Sequence, residues 1–460
     1  MDEYRERQKI ISQFVEARLE QGVSQAELAR RIGTQRSNIC RLESGAQNPT
    51  LDMLLKIAAS LGKDVRFELN DRQAPEENIY SLKLYDTELL RFSLEKQGLY
   101  GLVAEILYKN IDVSELFPLD LECTSEGIIS WLRHRVIPKN RAYVDEILKT
   151  LGLSHNDTKG IIDICKGLSL NDSYWVVPTS FNGSFSSYNL YENRFSEILS
   201  LVAYTGNAGS HHAFTTSPEL TTGGMLPKAW RVTEDGKIYL YKGGTSGASN
   251  SGREPYCEYY ASQIAETMKL NALHYDLENW KGITASKCVI FTDIDTSFVP
   301  IGRIVKSGGI AACLEYYDSL GPAFSEQLRS MLVFDALIYN EDRHFGNFGI
   351  LRDNHSGKIL SPAPIFDNGV SLFCYAGQDD YADLEKYAAT RSNPYNIPYE
   401  EICAEVMGRK QKEELRRMVG FRFRRHPNIN LPEEHLCAIE KQLSLRVRRL
   451  LSIPSKKPLK

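Results

Sequence analysis

Ten residues, NDRQAPEENI at 70–79, limit what this chain can fold into. They are polar, carry a proline and show no apolar periodicity, which is the composition of a linker. The chain they divide has 460 residues, too many for one hydrophobic core, and length alone suggests about three domains. With 42% apolar and 25% charged residues, the sequence on either side is that of a folded protein.

Before the linker the apolar residues keep helical spacing. Leu28, Ala29 and Ile32 fit one helix that Gly33 stops, and NICRLESG resumes the pattern to Gly45. After NPT, Leu54, Leu55, Ile57, Ala58 and Leu61 repeat it as far as Gly62, and VRFEL (65–69) then alternates like a short strand. Ile39 and Leu42 face inward, which leaves Gln35, Arg36, Ser37, Asn38 and Arg41 on the outside of the second helix. Arg can read guanine bidentately in the major groove, and Asn or Gln can read adenine. Four arginines and no acid lie between Arg30 and Arg41, a local positive patch in a chain of net charge −4.

The stretch SQAELARRIGTQRSNICRLESGAQNPTLDMLLKIAASLG resembles the XRE family of helix-turn-helix domains. The matching positions are Ser24-Gln25, Leu28-Ala29, Gly33, Ile39, Glu43, Gly45, Pro49, Ile57-Ala58 and Leu61-Gly62, and the resemblance covers residues 5–63 or so. It implies an all-α DNA-binding domain over 1–70 that contacts operator DNA through residues 24–45, with Gln25 added to the contact set. It also implies a two-fold homodimer, across which VRFEL could pair. A small helical interaction module that never touches DNA is the competing reading.

Beyond the linker (71–80) the pattern is mixed, and ISWLRHRVIPKNRAYVDEILKTLGL reads as two helices broken at Pro138 with no function attached. From about 214, TTGGMLPKAWRV and DGKIYLYKGGTSG read as a hairpin with a glycine-bearing bend. REPYCEYYASQIAETMKL places Cys257, Ala261, Ile264, Ala265 and Met268 at helical spacing, and KCVIF reads as a short strand. After about 310 the chain is mainly helical, with APIFDNGVSLF as an interruption.

Within that helical part, EDRHFGNFG (341–349) follows the apolar run SMLVFDALIYN. Asp342 and Asn347 have the D-x-x-x-x-N spacing of a protein-kinase catalytic loop, in which the Asp accepts a hydroxyl proton and the Asn holds magnesium. Asp367 in IFDNG can supply a second magnesium ligand. Upstream, Lys242 ends a strand and can neutralise nucleotide phosphates, and Glu258 on the next helix can orient it. Gly223 and Gly224 let a backbone approach phosphates closely. Each signal is weak by itself. Their order along the chain makes the case.

FDALIYNEDRHFGNFGIL followed by APIFDNGVSLF resembles the C-terminal region of HipA-family serine/threonine kinases, the toxin halves of bacterial toxin–antitoxin pairs. The resemblance runs from about Thr215 onward and is strongest at 334–372. It implies an α+β, two-lobed, kinase-like fold: an N-terminal lobe with a helical insertion over 81–295 and a mainly helical catalytic lobe over 296–460. By the same resemblance Asp342 is the catalytic base, Asn347 and Asp367 are metal ligands, and Lys242 and Lys228 bind phosphate. ATP and Mg2+ are the implied cofactors. Thr221, seven residues before Lys228, and Thr222 are the implied autophosphorylation sites. A protein substrate such as an aminoacyl-tRNA synthetase or another translation factor is also implied. The chain departs from the family at FTDID, where relatives carry a V-E-R-F-D type hinge, and at GGMLPK, which lacks the usual Gln-Glu. Relatives usually meet their XRE partner as a separate polypeptide. Two other readings stay open, a catalytically dead sensor joined to a regulator and a small-molecule kinase.

The nine cysteines are scattered without a CxxC pair, so a reducing, cytoplasmic setting is expected. No charged-then-apolar leader and no run of about eighteen apolar residues occurs, so no membrane role is expected. Lys441–Lys460 carries seven Lys or Arg and no acid, which reads as a solvated helix face and tail.

Overall fold

Ser24 and Thr50 each place a hydroxyl over the first turn of a helix, accepting the amides of Glu27 (3.1 Å) and Met53 (3.3 Å). These caps start α1 (Gln25–Arg31) and α3 (Leu51–Ser60), and α2 (Arg36–Glu43) lies between them. Gly33 takes φ +72° at the turn between α1 and α2, a conformation that costs glycine nothing. Val23, Leu28, Ala29, Ile39, Leu42, Ile57 and Leu61 form the core of this bundle. Arg18 closes its rim with a fork onto Glu43 at 2.7 and 2.8 Å.

The computed structural model describes residues 10–43 except 12, 16 and 20, then 47–65, 78–97, 101–154, 157–206, 217–246 and 252–454. Gly45, VRFEL beyond Val65 and most of the linker stretch fall outside these residues, as does the end of the basic tail. The chain divides into two compact units, Met1–Gln73 and Ala74–Lys460.

The second unit is built on three antiparallel sheets. β1 (Ile79–Leu84), β2 (Thr87–Gln97), β3 (Gly101–Lys109) and β4 (Tyr174–Pro178) form the first, in the order β3-β2-β1-β4. Helices α4 (Ser125–Arg133), α5 (Val144–Thr150), α6 (Thr158–Cys165) and α7 (Glu197–Thr205) bury Trp131, Leu132, Ile147, Ile162 and Val202 in one cluster with Leu82, Leu90 and Phe92 of that sheet. Pro138 lies between α4 and α5.

The second sheet has the order β5-β6-β8-β7, from β5 (Lys228–Val232), β6 (Ile238–Lys242), β7 (Asp276–Trp280) and β8 (Ile283–Val289). β5 and β6 are the hairpin, with Lys228 opposite Lys242. β8 begins earlier than KCVIF and ends at Val289, so Ile290 and Phe291 lie beyond it. Between β6 and β7 runs α8 (Glu254–Met268).

The third sheet, β11-β10-β9, is small, made of β9 (Thr296–Pro300), β10 (Gly349–Asp353) and β11 (Ile359–Pro362). The longer of the remaining helices are α9 (Gly309–Leu320), α10 (Pro322–Ile338), α11 (Tyr399–Val406), α12 (Arg409–Arg416) and α13 (Glu433–Ser452). Their apolar faces share one large core, in which Ile264 and Met268 of α8 are buried with Phe334 and Leu337 of α10 and Leu443 of α13. No helix of the described residues is long and apolar enough to cross a membrane.

Candidate active site and nucleic-acid interface

α10 is buried throughout Ser330–Ile338, and Tyr339 ends it in the left-handed conformation (φ 53°). The chain therefore leaves the core at one fixed point and enters the 341–349 loop. Asn340 Nδ2 donates to Asp335 Oδ1, and Asn340 Oδ1 accepts the Asp342 amide, each at 3.0 Å.

Arg343 is fully buried and organises this loop. Its Nε and Nη2 fork onto the Asp335 carboxylate at 2.9 and 3.0 Å. Nη1 donates to the carbonyls of Asn347 (3.1 Å) and Phe366 (2.5 Å), and Nη2 reaches Asn368 Oδ1 (2.5 Å). One guanidinium thus ties α10 to the D-x-x-x-x-N loop and to the Asp367 segment. Across the loop, Asn347 Nδ2 donates to the Asp342 carbonyl at 3.0 Å, and the exposed His344 accepts the Gly346 amide through Nδ1 at 3.0 Å. Tyr395 and Tyr399 donate their hydroxyls to the carbonyls of Arg343 and Asn340, both at 2.7 Å.

Lys242, Glu258 and Asp367 come together from three distant stretches. The Lys242 ammonium, at the end of β6, pairs with both carboxylates. The second Glu258 oxygen accepts the Asn368 amide at 2.9 Å, and the Asp367 amide donates to Tyr275 Oη at 3.1 Å. Burial works to raise the Asp367 carboxyl, but Lys242 and Lys228 outweigh it and hold the group far below the usual range. The Asp342 carboxyl moves the other way. Burial raises it, with Asp367 adding to the rise while His344 and Lys242 oppose it.

Lys228 is pushed down to about 7, first by burial and then by Lys242. Its ammonium donates to the Gly223 carbonyl at 2.8 Å. Gly224 takes φ +85°, and a Cβ there would collide with that ammonium. Thr221 and Thr222 both donate their hydroxyls to the Pro218 carbonyl, at 3.3 and 2.6 Å, and Trp230 Nε1 donates to Thr222 Oγ1 at 2.9 Å.

Three residues of this framework escape the sequence reading. Asp335 and Arg343 carry a usable signal, because an acid inside the apolar run FDALIYN must find a partner. Arg141, whose buried guanidinium reaches the glycine bend, lies in a stretch with no such signal.

In the first unit Gln35, directly before α2, and Arg36, Ser37 and Arg41 on it are exposed, as the inward placement of Ile39 and Leu42 requires. Asn38 donates to Thr34 Oγ1 (3.0 Å) and accepts from Arg41 (2.8 Å), while Gln25 donates to Glu43 (2.8 Å). The positive patch is smaller than the count of arginines implies. Arg30 and Arg31 both pair with Glu27, at 2.7 and 3.0 Å, one turn before the window in which no acid occurs.

Residues 15–67 match the helix-turn-helix family model. They are a helix-turn-helix domain. A curated relative of this domain, an uncharacterized HTH-type transcriptional regulator of Haemophilus influenzae, is 39% identical over 54 residues, which are 12% of this chain and 55% of that protein. The chain thus covers about half the length of that relative. Among solved structures, the chain is similar to the Helicobacter pylori proinflammatory kinase CtkA, with 19% identity, a TM-score of 0.41, and coverage of 50% of this chain and 91% of that one. It is also similar to the Shewanella oneidensis MR-1 toxin–antitoxin system of HipA, HipB and operator DNA, with 13% identity, a TM-score of 0.47, and coverage of 80% and 97%.

Proposed function

We propose that residues 81–460 form an ATP-dependent serine/threonine protein kinase of the HipA type. In this proposal the helix-turn-helix domain binds operator DNA as a homodimer, so that the protein is a toxin–antitoxin-type growth regulator acting on its own promoter. The meeting of Lys242, Glu258 and Asp367 beside the Arg343-braced loop carries the kinase reading.

Lys242, steered by Glu258, would receive nucleotide phosphates, and Lys228 would add a second cation. Asp342 would accept the proton of the substrate hydroxyl as its oxygen bonds to the γ-phosphorus and the bond to ADP breaks. Asn347 and Asp367 offer hard oxygen donors: the Asn347 NH2 is spent on the Asp342 carbonyl, and the Asp367 side chain is 35% exposed. Among the described residues no group of three or more His, Cys, Asp or Glu could hold a metal, so an ion at this pair must lean on phosphate oxygens, as magnesium does. Bound there, magnesium would neutralise phosphate charge.

A protein substrate, such as an aminoacyl-tRNA synthetase or another translation factor, belongs to this proposal. So does self-modification at Thr221 or Thr222, for which the hydroxyls must first leave the Pro218 carbonyl. Incubating purified protein with labelled ATP and magnesium, then mapping phosphosites, tests the reading. Phosphate on protein that is absent with Asp342→Ala supports it, and no transfer to any protein overturns it. Phosphate on a small molecule would favour the alternative kinase class.

A further inference from the structure

Arg141 stands between α4 and α5, in the helical insertion to which the sequence assigns no role. Its side chain and that of Glu219 are wholly buried against each other, Nη2 to Oε2 at 2.8 Å. The same guanidinium donates to the carbonyls of Glu219 (3.3 Å), Thr222 (2.8 Å) and Lys228 (2.8 Å). Next to it, the Ala142 amide donates to the Met225 carbonyl at 2.8 Å. Glu219 completes the arrangement by accepting the Trp230 amide through Oε1 at 2.8 Å. These bonds all fall on one segment, Glu219–Trp230, which carries the glycine bend and the lysine beside Lys242 and Asp367.

We propose that Arg141 is a positioning residue for nucleotide: the insertion grips the 219–230 segment through it and so holds the Gly223–Gly224 bend and Lys228 where phosphates arrive. The inference rests on the kinase reading. Its physical basis is the shape of the guanidinium, which alone among cationic side chains can span a carboxylate and three carbonyls in one plane-limited fork. A lysine keeps the charge that Glu219 needs but donates from a single point, so Arg141→Lys separates geometry from charge.

The insertion also supplies a matched control. Arg135 is likewise buried and forks onto Asp172 at 2.6 and 2.8 Å, with further bonds to the Gly167 (2.6 Å) and Tyr174 (3.0 Å) carbonyls. None of these partners belongs to the 219–230 segment. In the full-length protein, Arg141→Lys should weaken binding of the imido analogue of ATP with magnesium by ~tenfold or more. It should also speed amide exchange at residues 222–226. Arg135→Lys should lower the melting temperature and leave both readouts unchanged. If Arg141→Lys does not fold, the paired amide variant R141Q/E219Q takes its place with the same expected loss.

Affinity within twofold of wild type in the Arg141 variant, or equal weakening by both arginine variants, overturns the proposal while the kinase reading stands. A wild-type protein that does not bind the analogue at all overturns the kinase reading and this inference with it.

Discussion

Asp342 and Asp367 answer to opposite environments, and each predicts its own variant. Because burial raises the Asp342 carboxyl, the folded protein keeps that proton to higher pH than the unfolded chain does. Its ionised form therefore costs stability once pH rises past the ordinary aspartate range. Asp342→Asn should abolish phosphoryl transfer and leave the melt at pH 7.5 unchanged or higher, which calorimetry beside a transfer assay checks. The Asp367 carboxyl is held low, so its stabilising pair with Lys242 is fully present above the ordinary aspartate range and is lost progressively below that range, as pH falls toward the lowered value of the folded state. Asp367→Asn should also abolish transfer but lower the melt at pH 7.5, and the gap to wild type should close in acid. Lys228, at about 7, is largely unprotonated at pH 8 in the nucleotide-free protein. An arriving phosphate restores the charged form, so nucleotide binding at pH 8 should take up close to one proton. Titration calorimetry in buffers of different ionisation enthalpy reads this directly, and Lys228→Met should remove the uptake.

α2 presents Arg36 and Asn38 on an exposed face backed by Ile39 and Leu42. Arg36→Ala or Asn38→Ala should relax sequence preference, at a cost of about 1–3 kcal/mol at one base pair, without changing phosphorylation of a substrate that is not DNA. Binding assays on single-base operator variants check this. Elements with an intact period were legible in the sequence: α1 to α3, α8, and the β5–β6 hairpin. The first sheet was not, because bulges at Leu82/Lys83 and Arg91/Phe92 break the alternation that would have marked its strands. Strands β9 to β11, at four or five residues each, are too short to stand out among helices. In the site, spacing pointed to Asp342, Asn347 and Asp367. The Arg343 and Arg141 braces depend on tertiary approach, which no local pattern encodes.

At the scale of the molecule, the helix-turn-helix unit rests on a small core, and the 74–460 unit chiefly on two larger ones. Two thermal transitions are expected. Operator duplex should raise only the transition of the first unit, and ATP analogue with magnesium only that of the second. Differential scanning calorimetry with each ligand separately is the check, and a single transition moved by both would contradict it.

Of the fifteen residues of α8, all but Tyr256, Glu266 and Thr267 are buried, and the helix shares its core with α10 and α13. Glu258 is therefore mounted on a part of the protein that has no room to swing. A vice with one jaw bolted down can open only from the other side. For the proposed kinase, an off-state is expected to be made by withdrawing the 219–230 segment, and an inhibitor that seeks to disengage the glutamate would have to melt the helical core to do so.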